Sequence, residues 1–168
     1  MKVETSLNSI LTSKTRSKLI CLFFGNPREL FYVRELVRLT GEEINSVRRE
    51  LANLKKINVL ISESRGNRLY YTTNPRHHLF NSLLLLAYRN SELAQKLDKA
   101  KLLLVSFSFL LWQKVRPDSI DLIIVGDFPL REAENAIKAE EKLRNIEINY
   151  MVMDQAELKL RQNKRDPF

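Results

Sequence analysis

The sequence predicts an α+β fold, an N-terminal winged helix-turn-helix followed by a small α/β domain, and three observations carry that prediction. Residues 40–73, TGEEINSVRRELANLKKINVLISESRGNRLYYTT, read in order as a turn, an amphipathic basic helix, a strand, a tight turn and a second strand. Two shorter helical patterns precede that stretch, so three helices lead into a β-hairpin. Past residue 100 the apolar period changes to strand, strand, helix, strand and helix, the pattern of a small α/β unit. The boundaries that follow are 1–75 for the first domain, 76–100 for one or two linking helices, and 101–168 for the second domain.

Residues 1–11 read as a lead-in, with Leu7, Ile10 and Leu11 available to dock on a partner. A helix begins at Ser13-Lys14-Thr15-Arg16 and stops at Gly25-Asn26-Pro27, a glycine followed by a proline. A second helix is expected over Tyr32–Leu39, with Leu36 inward and Gly41 ending it. In the third helix Ile44, Val47, Leu51 and Leu54 recur at spacings of three and four and share the inward face. At roughly 100° of rotation per residue, Asn45, Ser46, Arg49, Asn53 and Lys56 fall on the opposite side, with Arg48 on the flank. These side chains donate to phosphates or base edges. Glu42, Glu43 and Glu50 are acidic side chains that cost affinity near a phosphate backbone, although Glu42 and Glu43 also suit the positive end of the helix dipole. Val59–Glu63 and Leu69–Thr73 then alternate as strands around Arg65-Gly66-Asn67-Arg68, which brings Arg65, Asn67 and Arg68 to a hairpin tip.

After Pro75, residues 76–99 form one broken helix or two consecutive ones. The apolar density of Leu79–Ala87 fits a dimer contact or burial against the C-terminal half equally well. His77 and His78 are adjacent, so they lack the i, i+4 spacing of a helical metal pair. Strands are expected over 101–109, 120–126 and 146–153, with a helix over 130–143 and a last short helix from Asp154. Arg161–Arg165 is a basic tail, either solvated or available to phosphates.

The 168 residues are 44% hydrophobic and 29% charged, which is globular rather than disordered, and carry a formal charge of +8. Such a balance points to a polyanionic partner, although a ribosomal or membrane-surface protein would share it. Its distribution says more. Residues 1–76 hold 14 basic and 7 acidic side chains, and residues 77–168 hold 14 and 13. The excess therefore sits with the basic helix and hairpin, the footprint of a nucleic-acid-binding domain. One cysteine, Cys21, among Leu19, Ile20, Leu22, Phe23 and Phe24 reads as core and leaves no thiolate metal site. Four glycines provide no phosphate-cradling loop, and neither a cofactor nor a metal is expected. No apolar signal or spanning segment is visible, so a cytoplasmic location is expected.

Residues 13–75 resemble the winged-helix regulators of the arsenic-repressor type, especially a prokaryotic branch sharing the pattern FYVRELxRLTG…NSVRREL…GNRxYYxxNP. That resemblance implies double-stranded DNA as partner, the third helix in the major groove and the wing beside an adjacent minor groove, in a homodimer on successive half-sites. The metal-sensing cysteines of some arsenic-type members are missing, so no metal response is implied.

The second half resembles the minimal nucleotidyltransferase domain, with departures. Val105-Ser106-Phe107 stands where that family has Gly-Ser-Phe. In Asp118-Ser119-Ile120-Asp121, Ser119 occupies the first carboxylate position and Asp121 the second, while Phe109-Leu110-Leu111-Trp112 lacks the family's arginine-glycine. Nucleotidyl transfer needs two carboxylates to hold Mg²⁺ on the triphosphate. Asp118 is three residues from Asp121, an odd separation that on a strand faces the other side unless a bend brings the two together, and Glu147 reads as solvent-facing. The expectation is a nucleotidyltransferase-like fold without the chemistry, serving dimerisation, sensing or partner binding. The alternatives are a Mg²⁺-dependent nucleotidyltransferase and an antitoxin-like interaction module; for the basic helix itself they are a solvated face or a surface for protein contacts.

Overall fold

The computed structural model describes residues 13–113 and 118–164. Over these residues the chain is a mixed α+β fold with eight helices and two three-stranded sheets, divided into two compact units, Met1–Asn90 and Ser91–Phe168. The stretch 76–100, expected as a linker, is thus shared between the units.

In the first unit α1 (Lys14–Gly25) starts where the Ser13 hydroxyl accepts from the Arg16 N–H at 3.2 Å. Gly25 is the last helical residue rather than a left-handed cap. Asn26 closes the helix instead, its backbone N–H donating to Phe23 and its side-chain amide to Leu22. The expected helix over 32–39 is displaced by one residue, because Phe31–Tyr32 is a short strand, β1, paired with Tyr71 and Tyr70. Helix α2 (Val33–Thr40) follows and ends at Gly41, whose φ of 65° lets its N–H reach the Val37 carbonyl. Helix α3 (Ile44–Lys56) leads to β2 (Leu60–Arg65) and β3 (Arg68–Thr73), and the antiparallel sheet runs β1-β3-β2.

Leu19, Phe23, Leu36, Val47, Leu51 and Leu54 form the buried centre of this unit, with Phe23 edge-on to Phe31 at 5.4 Å. Helix α4 (Phe80–Arg89) packs on α1, Phe24 meeting Phe80 at 5.8 Å. That contact, with an N-terminal helix where the C-terminal half was expected, accounts for the inward half of the Leu79–Ala87 run: Phe80, Leu84 and Ala87 are buried, whereas Leu79 and Leu85 remain exposed.

The second unit holds α5 (Glu92–Lys96), β4 (Leu102–Val105), α6 (Phe107–Leu110), β5 (Leu122–Val125), α7 (Leu130–Arg144), β6 (Tyr150–Met153) and α8 (Gln155–Lys164). Its sheet runs β4-β5-β6, with β4 antiparallel and β6 parallel to β5. The strand expected over 101–109 breaks at Ser106, whose hydroxyl accepts from the Phe109 N–H and caps α6. All four residues of β5 are buried; Ile123 and Val125 pack with Met153 and with Leu158 of α8. Strand β6 starts at Tyr150 rather than 146, because Ile146 and Ile148 give their N–H groups to the Glu141 carbonyl and carboxylate. Arg144 locks α7 to α6, donating to the Phe109 carbonyl at 2.8 Å while its guanidinium covers the Phe109 and Trp112 rings. Among the described residues no helix is long and apolar enough to cross a membrane.

Candidate nucleic-acid interface

The three acidic residues around α3 are each engaged with the protein itself. Glu43 caps the helix, one carboxylate oxygen accepting from the N–H groups of Asn45 at 2.7 Å and Ser46 at 3.0 Å. These backbone hydrogen bonds hold its carboxyl below the usual glutamate range. Glu42 accepts from Lys18 at 2.6 Å and from Thr15, and the Lys18 hydrogen bond is the main cause of its lowered pKa. Glu50 corrects the sequence expectation. It is not on the outer surface of α3; it is buried on the side that carries Leu51 and Leu54, accepting from Ser13 at 2.9 Å and Arg16 at 2.8 Å. Burial pushes its pKa up, but the hydrogen bonds of Arg16 and Ser13 and the charge of Arg16 hold it below the ordinary value.

With the acids so placed, the outer side of α3 presents donors. Asn45, Arg48, Arg49, Asn53 and Lys56 are exposed and Ser46 is half-buried. Asn53 also gives a side-chain hydrogen bond to Glu50. Lys55 and Lys56 sit in the last turn, where the negative end of the helix dipole favours them.

The hairpin brings its own cations. Arg65 and Arg68 are directly opposite across β2 and β3, so the turn is the two residues Gly66-Asn67. Gly66 has φ +57°, which the first position of a type II′ turn requires and a side chain would resist. Arg65 is ion-paired with Glu63 and lies over the Tyr70 ring at 5.8 Å. Arg68 lies over the Tyr32 ring at 4.9 Å, and Tyr32 meets Tyr70 edge-on at 5.8 Å. All three hairpin-tip residues, Arg65, Asn67 and Arg68, are exposed.

Helix and hairpin meet at a cleft of 390 Å³. Its walls include Arg48 from α3, Asn67 and Arg68 from the hairpin, and Tyr32 and Arg34 at the start of α2. Ile44, expected to pack inward, is only half-buried and lines this cleft with Leu69. Of the residues singled out from sequence, the cleft gathers Arg48, Asn67 and Arg68; Asn45, Arg49, Asn53, Lys56 and Arg65 are exposed outside its lining. Sequence reasoning missed Arg34 and Tyr32. The signal for them was the strand pairing of Tyr32 with Tyr70, which two extended residues cannot announce through periodicity.

The second unit has a cleft of 440 Å³ whose lining includes Ser106, Asp118, Ser119 and Asp121. Asp118 and Asp121 both precede β5, so the alternation of strand side chains does not separate them as expected. Their environments differ. Asp118 is exposed, whereas Asp121 is buried and accepts the Asn149 N–H at 3.0 Å, with its backbone N–H donating to the Asn149 carbonyl at 2.7 Å. The Asp121 carboxylate is thereby employed in joining β5 to the approach of β6. Glu147 is exposed on that approach and does not line the cleft.

Among the described residues no three His, Cys, Asp or Glu side chains are grouped to hold a metal ion. The rings of His77 and His78 stack at 4.5 Å, and His77 Nδ1 accepts the Leu79 N–H. Cys21 is half-buried rather than core, and burial raises its thiol pKa. Leu7, Ile10, Leu11 and Arg165 lie outside the described residues. Compared with protein-family models, curated proteins and solved structures, the chain matches none.

Proposed function

We propose that this protein is a transcriptional regulator whose first unit is a winged helix that binds double-stranded DNA. Helix α3 enters the major groove, the β2–β3 hairpin follows the backbone beside it, and a second copy of the chain presents the same elements to a neighbouring half-site. The observation that carries this reading is the meeting of Arg48 with Asn67 and Arg68 at one cleft while Glu42, Glu43 and Glu50 are all engaged within the protein. Positive groups are left to the outside, Glu42 and Glu50 are paired with Lys18 and Arg16, and Glu43 is held as the cap of α3. The exposed amides Asn45 and Asn53 on the same helix supply donors and acceptors for base edges.

The second unit serves dimerisation or sensing in this proposal, within a nucleotidyltransferase-like framework. Support comes from Asp121, whose carboxylate is buried and engaged with Asn149. Intact protein incubated with labelled nucleoside triphosphates and Mg²⁺ is expected to transfer no label to itself or to RNA. Transfer abolished by Asp121→Ala would establish the enzymatic alternative.

The regulator reading is tested by selection. Intact protein mixed with a library of genomic duplex fragments is expected to retain fragments that share a sequence, bound as a twofold complex. Retention of nothing beyond random duplex, or preferential retention of RNA, would refute it.

A further inference from the structure

The cleft between α2, α3 and the hairpin contains three guanidinium-bearing side chains from three separate elements. Arg34 comes from the first turn of α2, Arg48 from the second turn of α3 and Arg68 from the start of β3. Three like charges lining 390 Å³ repel one another, and no carboxylate lines the cleft with them. Among the described residues none of the three forms an ion pair; the hairpin's own pair joins Glu63 to Arg65, the residue directly opposite Arg68. The space is more than ten times the ~30 Å³ share of a liquid water molecule, and Asn67 adds an amide at the rim. A planar fork matches two oxygens of one phosphate, so arginines from different elements grip a phosphate from several sides where a carboxylate partner is missing.

We propose that this cleft is the seat of a backbone phosphodiester of the bound duplex, held by Arg34 together with Arg48 and Arg68. The seat fixes how deeply α3 enters its groove, because α2, α3 and the hairpin all grip the same point on one strand. Tyr32 is a positioning residue here. Its ring lies under the Arg68 guanidinium at 4.9 Å and is itself braced by Tyr70, which holds the fork in one direction instead of letting it sweep through solvent. This inference rests on the duplex-binding reading and adds to it Arg34 and Tyr32, which the helix pattern does not single out.

The test is a salt titration of duplex binding by the intact protein, fitted as the logarithm of affinity against the logarithm of salt concentration. Arg34→Ala is expected to reduce the slope by about one, the value for a single lost phosphate contact, and to weaken specific and random duplexes by the same factor. Arg34→Lys keeps the charge and is expected to keep the slope while losing affinity, which also guards against a folding defect in the alanine variant. Tyr32→Leu is expected to lose affinity that Tyr32→Phe, retaining the ring, restores. Lys138→Ala, on the exposed side of α7, is the control and is expected to leave both slope and affinity unchanged. Wild-type binding with an Arg34→Ala slope equal to wild type, or an equal slope loss in Lys138→Ala, overturns the phosphate seat and leaves the regulator reading standing. Absence of duplex binding by the wild type overturns both.

Discussion

Glu50 defines how α3 is fixed against the rest of its unit. Its carboxylate, only 5% exposed, is gripped by Ser13 and Arg16 at the start of α1, so the helix that carries Arg48 and Arg49 is pinned in rotation by a charged contact as well as by Leu51 and Leu54. Glu50→Ala removes three hydrogen bonds, from Ser13, Asn53 and Arg16, the last from a charged donor. Because Arg16 is more than a third exposed and returns to water, the expected cost is about 1–2 kcal/mol at neutral pH, read from the urea midpoint. The folded-state pKa is depressed, so this contribution is complete above the unfolded glutamate pKa of ~4.3 and is lost as pH falls through the folded value. Wild type and variant should therefore differ at pH 7 and converge as Glu50 protonates in acid; a gap that does not narrow as pH falls would show that Glu50 acts by packing instead. Val47, Leu51 and Leu54 were legible in the sequence because spacing alone reveals them. Glu50 was not, since its partners lie 34 and 37 residues away and no local pattern links them.

The hairpin and the α3 core face can be tested as elements. Gly66 is at φ +57° in a two-residue turn, so Gly66→Val is expected to cost about 1–2 kcal/mol in backbone strain and to disturb the opposed pair Arg65 and Arg68. A melting curve and a duplex titration on the same sample should fall together; lost stability with unchanged affinity would separate the hairpin from DNA binding. Leu51 is fully buried, and Leu51→Ala is expected to cost about 2–5 kcal/mol by denaturant unfolding, against almost nothing for exposed Lys56→Ala. The elements that were legible share a cause: α3 has a complete apolar stripe, and the hairpin has a glycine between two β-prone runs. Those that were missed lack any period to read. Strand β1 is two residues long and exists only through its pairing with β3. The apolar run after residue 101 continues through Ser106, where one hydroxyl cap turns strand into helix and an alternation count cannot see the change.

For the whole molecule, the chain divides into two compact units, and the net positive charge sits in the first; assembly or sensing is proposed for the second. The charge asymmetry was legible from composition. The placement of residues 76–100 was not, because the burial of Phe80 against Phe24 depends on a helix more than fifty residues earlier. As a proposed homodimer the intact protein should sediment with twice the mass of a single chain at micromolar concentration; a single-chain mass with and without duplex would remove the half-site geometry. The central claim is that the cations of α3 and the hairpin act together on one duplex, and the most direct measurement is the affinity of the intact protein for a selected fragment across a range of salt. Wild type is expected to weaken with a slope of about −0.9 per phosphate engaged, and Arg49→Ala combined with Arg65→Ala is expected to bind more weakly with a shallower slope while melting like wild type. Equal affinity and equal slope for the two proteins would contradict the account.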